Sequence, residues 1–282
     1  MYWLSKDCRS YFKEYEMKFT KVNNLKEALF LIEKYPNYIL FSGGSDLSLK
    51  LQRDTVDGII DISHLETLKH IEKDKNIIKI GALSTINSIL EDKEIQKHLP
   101  LLCEVCKTFA SHQIRNIATL AGNIVNDSPV ADLIAPLLVL RAKVTLLSNK
   151  EERTIMLEEL FDGYKSLKMK NEIITSFSIE IKTSQFYYRK VGTRERLNIT
   201  KLSLLMLKEN DTFYMSGASL NPYIKRFYNL EKLFNGAIYN DEDIKKILLK
   251  DIAPSSGSLS TSEYRTKVLF NMIKEALERF ER

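Results

Sequence analysis

The chain has 282 residues, 44% of them hydrophobic and 28% charged, with only 10 Gly and 6 Pro. That length buries a substantial core in two or three subdomains, and the composition excludes fibrous, low-complexity and disordered classes. The net charge of +5, from 42 basic and 37 acidic residues spread along the chain, reads as solvated faces rather than a nucleic-acid-binding stripe.

In chain order, Asn24 is placed to cap a helix over LKEALFLIEKYP, whose Leu25, Ala28, Leu29 and Ile32 follow helical spacing up to Pro36. Tyr38 to Phe41 read as a buried strand and Ser42 to Leu47 as the turn after it. Gly58 to Ser63 and Asn76 to Leu83 are further strands, Ser84 or Thr85 a cap for a helix from about Ile86, and Leu99 to Phe109 another helix. ADLIAPLLVLRA suggests a short helix, Lys143 to Ser148 a strand, and Glu172 to Ile181 alternates as a strand should. QFYYRKVGTRERLNITKLSLLML opens a new unit of strand, basic loop and apolar strand, which TFYMSGASL continues. Helical patterns follow at about Asn229 to Phe234, Asp241 to Leu249 and Glu263 to Arg282. The main boundary is expected between Lys182 and Gln185, giving one domain over 1–182 (subdomains of about 1–60 and 61–182) and a second over 183–282.

Of the three cysteines, Cys103 and Cys106 fall at i and i+3 of an amphipathic helix, which suits core packing, and Cys8 stands alone. They are too few to ligate an iron–sulfur cluster. The N-terminal MYWLSKDCRSYFKEYE is too charged for a signal peptide and no apolar run approaches membrane-spanning length, so a cytoplasmic protein is expected.

Two segments carry chemistry. SGGSD places Gly43 and Gly44 where backbone can approach a ligand with no Cβ in the way, although a Gly-Gly pair also makes an ordinary turn. SHQIRNIATLAGNIVNDSPVADLIAP sets Thr119, Ala121, Gly122 and Asn123 in what reads as a polar loop between apolar segments, a way to aim N–H groups at an anion. Asp132 follows, either as a helix cap or as an acceptor for sugar or ribityl hydroxyls. Arg189, Lys190, Arg194 and Arg196 form a basic cluster that is a solvated loop or reaches a reduced cofactor.

These residues carry a family likeness. YILFSGGSDL and FASHQIRNIATLAGNIVNDSPVADLIAPLLVLRAKVTL resemble the two flavin loops of the FAD-binding medium subunit of molybdenum hydroxylases, the xanthine dehydrogenase and carbon monoxide dehydrogenase type. EIITSFSIEI, YYRKVGTRERLNITKLS and SEYRTKVLFNMIKEAL resemble the segments that follow, so the likeness runs from about Phe19 onward. It implies an α+β chain: a para-cresol-methylhydroxylase-type FAD-binding fold of two α/β subdomains plus a C-terminal α+β domain. It assigns Ser42, Gly43, Gly44, Ser45, Asp46 and Leu47 to the FAD diphosphate, with Thr119, Gly122 and Asn123 on its second side and Asp132 on hydroxyls of the FAD chain. Phe109 and Ile174 are expected near the flavin, and Lys190 at its pyrimidine end, where a cation stabilises the anionic reduced ring.

The implied role is an electron-transfer subunit of an oxidoreductase, with no nucleophile or acid–base residue of its own. The implied partners are a molybdopterin-binding large subunit, a small subunit with two [2Fe–2S] clusters, and NAD⁺ or another acceptor. A stand-alone FAD oxidoreductase and a flavin-free structural subunit are the alternatives. Two positions depart from the family: Ser45 replaces the usual Thr, and Ala121 the usual first Gly of the second loop. Ala121 is expected to cost about 1 kcal/mol if its φ must be positive.

Overall fold

Residues 17–51, 56–193, 199–236, 238–257 and 259–281 are described by a computed structural model; Cys8, Arg194 and Arg196 lie outside them. The first unit runs β1 (Lys18–Lys21), α1 (Leu25–Lys34), β2 (Tyr38–Phe41), α2 (Leu47–Leu51) and β3 (Gly58–Asp61). The three strands are parallel, in the order β1-β3-β2. Asn24 starts α1 as expected, its side chain accepting from the Glu27 amide at 2.9 Å, and Ala28, Leu29 and Ile32 are the buried face. The turn expected at Ser42 to Leu47 ends sooner, because α2 begins at Leu47.

The second unit contains β4 (Ile71–Asp74), β5 (Ile77–Gly81), α3 (Ile86–Glu91), α4 (Lys93–His98), α5 (Pro100–Lys107), α6 (His112–Arg115), α7 (Leu120–Asn126) and α8 (Ile134–Val139). It continues with β6 (Lys143–Leu147), β7 (Glu152–Met156), the hairpin β8 (Phe161–Gly163) and β9 (Ser166–Leu167), and β10 (Ile173–Glu180). An antiparallel sheet in the order β4-β5-β10-β6-β7 backs a large apolar core with the helices. Thr85, not Ser84, caps α3 by accepting from the Ser88 amide. Cys103 and Cys106 are buried and free on α5, and burial raises both thiol pKa values, which leaves them poor nucleophiles.

One expectation is corrected here: residues 119–126 are not a loop. Thr119 is an N-cap whose hydroxyl accepts from the Gly122 amide at 3.2 Å, and a helical turn then costs less than an open loop whose polar groups lack partners.

The third unit is an antiparallel sheet of β11 (Gln185–Gly192), β12 (Thr200–Glu209) and β13 (Thr212–Ser216), covered by α9 (Tyr228–Gly236), α10 (Asp241–Asp251) and α11 (Ser262–Phe280). Leu205, Leu207, Ala218 and Ile224 enter the core of the second unit, so this sheet packs directly on it. Arg141 fastens the contact, lying 4.1 Å from the Tyr214 ring and 2.6 Å from the Glu209 carboxylate. Among the described residues no helix is long and apolar enough to cross a membrane.

Candidate functional site

A cavity of about 1000 Å³ opens between the first two units, and Leu259 and Ile199 of the third reach its rim. Its first wall is the segment leaving β2. A Cβ on Gly43 would stand 1.6 Å from the Ile117 carbonyl oxygen, so only glycine allows the two backbones to meet there. Gly44 has φ +65, and a Cβ there would strike the Phe41 ring at 2.5 Å. The amides of Gly43, Gly44, Ser45, Asp46 and Leu47 donate to no described residue, which leaves a run of N–H groups open at the cavity wall.

The opposite wall is α7. The Ser42 and Thr119 hydroxyls bridge the two walls at 3.1 Å. Its amides, unlike those of the first loop, are engaged: Leu120 donates to Ser84 O, Ala121 to Ala82 O, Gly122 to the Thr119 hydroxyl and Asn123 to Thr119 O. The second motif therefore supplies surface rather than free N–H groups. Gly122 keeps this surface low, since a Cβ there would lie 2.8 Å from the Thr119 hydroxyl and 3.5 Å from that of Ser42. Asn123 accepts the Leu133 amide at 3.2 Å, tying α7 to the start of α8.

Ala121 is helical and no left-handed backbone is asked of it, so the strain expected of it does not arise. Ala121→Gly is expected to destabilise the fold by about 1 kcal/mol through helix propensity alone, seen as a lower melting temperature with unchanged flavin content.

Twelve of the thirteen expected site residues line this cavity: Ser42, Gly43, Gly44, Ser45, Asp46, Leu47, Phe109, Thr119, Gly122, Asn123, Asp132 and Ile174. Lys190 does not. Its side chain is 2% exposed, and its ammonium lies 2.7 Å from Asp132 Oδ2 and 3.2 Å from the Thr108 carbonyl. The other Asp132 oxygen accepts the Thr200 hydroxyl at 2.9 Å. Asp132 therefore does not cap α8, which has no side-chain cap; it fastens β11 and β12 to the cavity wall. Burial raises the Asp132 pKa, and the Lys190 charge holds it back. Arg189, the neighbour of Lys190, pairs instead with Glu275 on α11.

The cavity also takes in residues with no local sequence signal. Lys50 pairs with Asp46 at 2.6 Å and reaches Asn126 on α7, and the segment 165–172 contributes Lys165, Met169 and Glu172. Arg153 grips Glu172 at 2.7 and 2.9 Å and holds its pKa down. Lys50 sits on the short helix α2 and the others in the turns on either side of β9, all of ordinary composition, and only the pairing of distant segments brings them to the cavity.

A cleft between two units, with an open amide run facing a glycine-lowered helix, suits the diphosphate of a dinucleotide in a protein of α+β class. Residues 14–179 match the family described as the FAD binding domain in molybdopterin dehydrogenase, more than half of the chain. The chain belongs to this family, and FAD is its cofactor. It is 26% identical over 268 residues to the xanthine dehydrogenase FAD-binding subunit of Escherichia coli O157:H7, covering 90% of this chain and 92% of that one. It is 29% identical over 186 residues to the xanthine dehydrogenase/oxidase of Gallus gallus, in which the match covers 62% of this chain but 14% of the longer polypeptide. A carbon monoxide dehydrogenase chain from Hydrogenophaga pseudoflava, in an enzyme lacking the Mo-pyranopterin moiety of its cofactor, shares the fold with a TM-score of 0.86. That likeness comes at 22% identity and covers 93% of this chain and 96% of the other. The residues fit the cofactor: the Gly43–Gly44 cradle admits no Cβ, and the unengaged amides beside it suit phosphate oxygens.

Proposed function

We propose that this chain is the flavoprotein subunit of a molybdenum hydroxylase in the cytoplasm, carrying electrons from iron–sulfur clusters to an external acceptor. A molybdopterin-binding large subunit would hydroxylate the substrate, and a small subunit with two [2Fe–2S] clusters would relay the electrons. NAD⁺ or another acceptor would collect them. The observation that carries this reading is the open amide run from Gly43 to Leu47, facing Thr119 and Gly122 across the cavity. The Escherichia coli relative, named an FAD-binding subunit and matched over 92% of its length, supports the subunit reading. FAD, when bound, accepts single electrons and releases a pair.

The chain's own residues hold, orient and shield. Residues 42–47 offer N–H groups to the diphosphate, Gly122 lets it approach α7, and Asn123 fixes that helix to the segment bearing Asp132. Asp132 keeps a face on the cavity for ribityl hydroxyls while bound to Lys190 and Thr200. The side chains of Phe109 and Ile174, 9% and 4% exposed, supply an apolar surface for the ring. Lys190 acts on the ring through Asp132, as one member of a neutral pair. Residues 1–182 form the FAD-binding domain and 183–282 the C-terminal domain in this reading.

Purification of the full chain in its native assembly tests the proposal. One FAD per chain, co-purifying molybdenum and iron, and NADH oxidation with artificial acceptors are expected. Turnover of an organic substrate by this chain alone would overturn the subunit reading. Ser45→Asp places a carboxylate on the open amide run without adding a Cβ, and is expected to empty the site of flavin at an unchanged melting temperature of the FAD-free protein. Gly44→Asp is a poorer probe, since its φ of +65 and the Phe41 contact disturb the fold as well.

A further inference from the structure

The cavity wall beside Phe109 is a short turn, residues 108–111, between α5 and α6. Ala110 lines the cavity with φ +36, a left-handed backbone that glycine takes freely and alanine does not. Such a conformation persists only where its surroundings impose it. Three successive carbonyls of this turn, those of Thr108, Phe109 and Ala110, each accept from a cation. Lys190 Nζ donates to Thr108 O at 3.2 Å, and Arg115 Nη1 donates to Phe109 O at 2.8 Å and to Ala110 O at 3.3 Å.

The two cations are not equivalent. Lys190 is also paired with Asp132, whereas the described side-chain hydrogen bonds of Arg115 all go to this turn. Its Nε is shielded from solvent and meets no described partner. The Phe109 and Ala110 carbonyls belong to the two planar peptide groups flanking the Ala110 Cα, so one cation holding both fixes the φ and ψ of Ala110 together. Charge-assisted bonds make this clamp stronger than neutral donors would. Arg115 itself is not among the residues lining the cavity; it stands behind the wall, at the end of the single turn of α6 that Ser111 caps by accepting from the Ile114 amide at 3.3 Å.

We infer that Arg115 is a positioning residue for the flavin ring: by clamping the left-handed Ala110 it holds Phe109 and Ala110 in the shape that receives the ring. This rests on the FAD reading above, which sets Phe109 beside the ring, and adds to it a residue that acts through the backbone. Without the clamp Ala110 leaves the left-handed region, the ring-receiving shape becomes a minor population, and affinity falls in proportion to the fraction that remains. The loss is confined to ligands that carry the ring.

The test is a titration of the flavin-stripped full chain, in the assembly in which it purifies, with FAD, with riboflavin and with ADP. Arg115→Met is expected to weaken FAD and riboflavin about tenfold and to leave ADP unchanged. Adding Ala110→Gly supplies the left-handed backbone at no steric cost, and is expected to recover about fivefold of that loss. A residue that merely stabilised the fold would lose all three ligands together, and a glycine added to a loosened turn would deepen the loss. Arg115→Lys keeps a donor cation at the turn and carries the same comparison, with a smaller loss, should Arg115→Met fail to fold. Unchanged riboflavin affinity in the Arg115 variants, a parallel loss of ADP, or no recovery with Ala110→Gly overturns the inference. A wild-type chain that binds neither FAD nor ADP overturns the FAD reading, and the inference with it.

Discussion

Gly43→Ala is expected to abolish FAD retention and to lower the melting temperature by several degrees. The added Cβ would stand 1.6 Å from the Ile117 carbonyl oxygen and 2.6 Å from its carbon, both backbone atoms that no rotamer change can move. Relief requires the β2 exit loop and the segment leading into Thr119 to separate, and these are the two walls that the Ser42–Thr119 hydroxyl pair joins. Overpacking of this kind costs roughly 1–3 kcal/mol, and each kcal/mol moves the melting temperature by roughly 2–4 °C in a domain of this size. Flavin absorbance per chain and calorimetry give the two readouts. Gly257→Ala is the control, because a Cβ there meets nothing within 4 Å and both readouts should hold. A yellow Gly43→Ala protein of wild-type stability would refute the close approach.

Lys190→Met is expected to be the costliest single charge removal at the site. It leaves Asp132, whose side chain is 10% exposed, with only the Thr200 hydroxyl at 2.9 Å. Stranding one member of a buried ion pair costs about 3–5 kcal/mol.

The pH dependence follows from the Asp132 carboxyl, which burial pushes above the ordinary carboxylate range while Lys190 pulls it down. An acid whose folded pKa is raised binds its proton more tightly in the folded state, so stability is lost as pH rises from the unfolded value through the folded one. Without Lys190 that window extends upward. The deficit of Lys190→Met against wild type should therefore be small below about pH 4, grow as pH rises, and level off once Asp132 is ionised in the folded variant. Melting temperatures across that range measure it. Lys190→Met combined with Asp132→Asn should recover most of the loss at neutral pH, and a pH-independent deficit would contradict the pairing. A change of flavin potential in the single variant reports the lost ammonium and the stranded carboxylate together.

Much of this architecture was legible locally. Asn24, Thr85 and the periodic apolar residues of α1, α5 and α11 carry their own start signals and faces, because caps and helical periodicity act within a few residues. Gly43 and Gly44 marked a backbone meant to come close to something, and the likeness of the two motifs to a flavoprotein family supplied what that was. The segment TLAGN misled, because its small polar residues suit either an open loop or a capped first turn. Ala82 and Ser84, whose carbonyls take two of its amides, lie some forty residues away and decide for the helix.

The sequence by itself determined the longer helices and the main strands, the glycine-bearing turn, the family and therefore the cofactor, since each depends on residue types at short spacing. Only the tertiary structure decided which amides remain open, that Lys190 is spent on Asp132, and that Lys50 reaches from Asp46 to Asn126 on α7. The physical reason is that hydrogen-bond donors and charges are satisfied once, by whichever partner the fold brings within about 3 Å, and those partners here come from segments 36 to 82 positions apart.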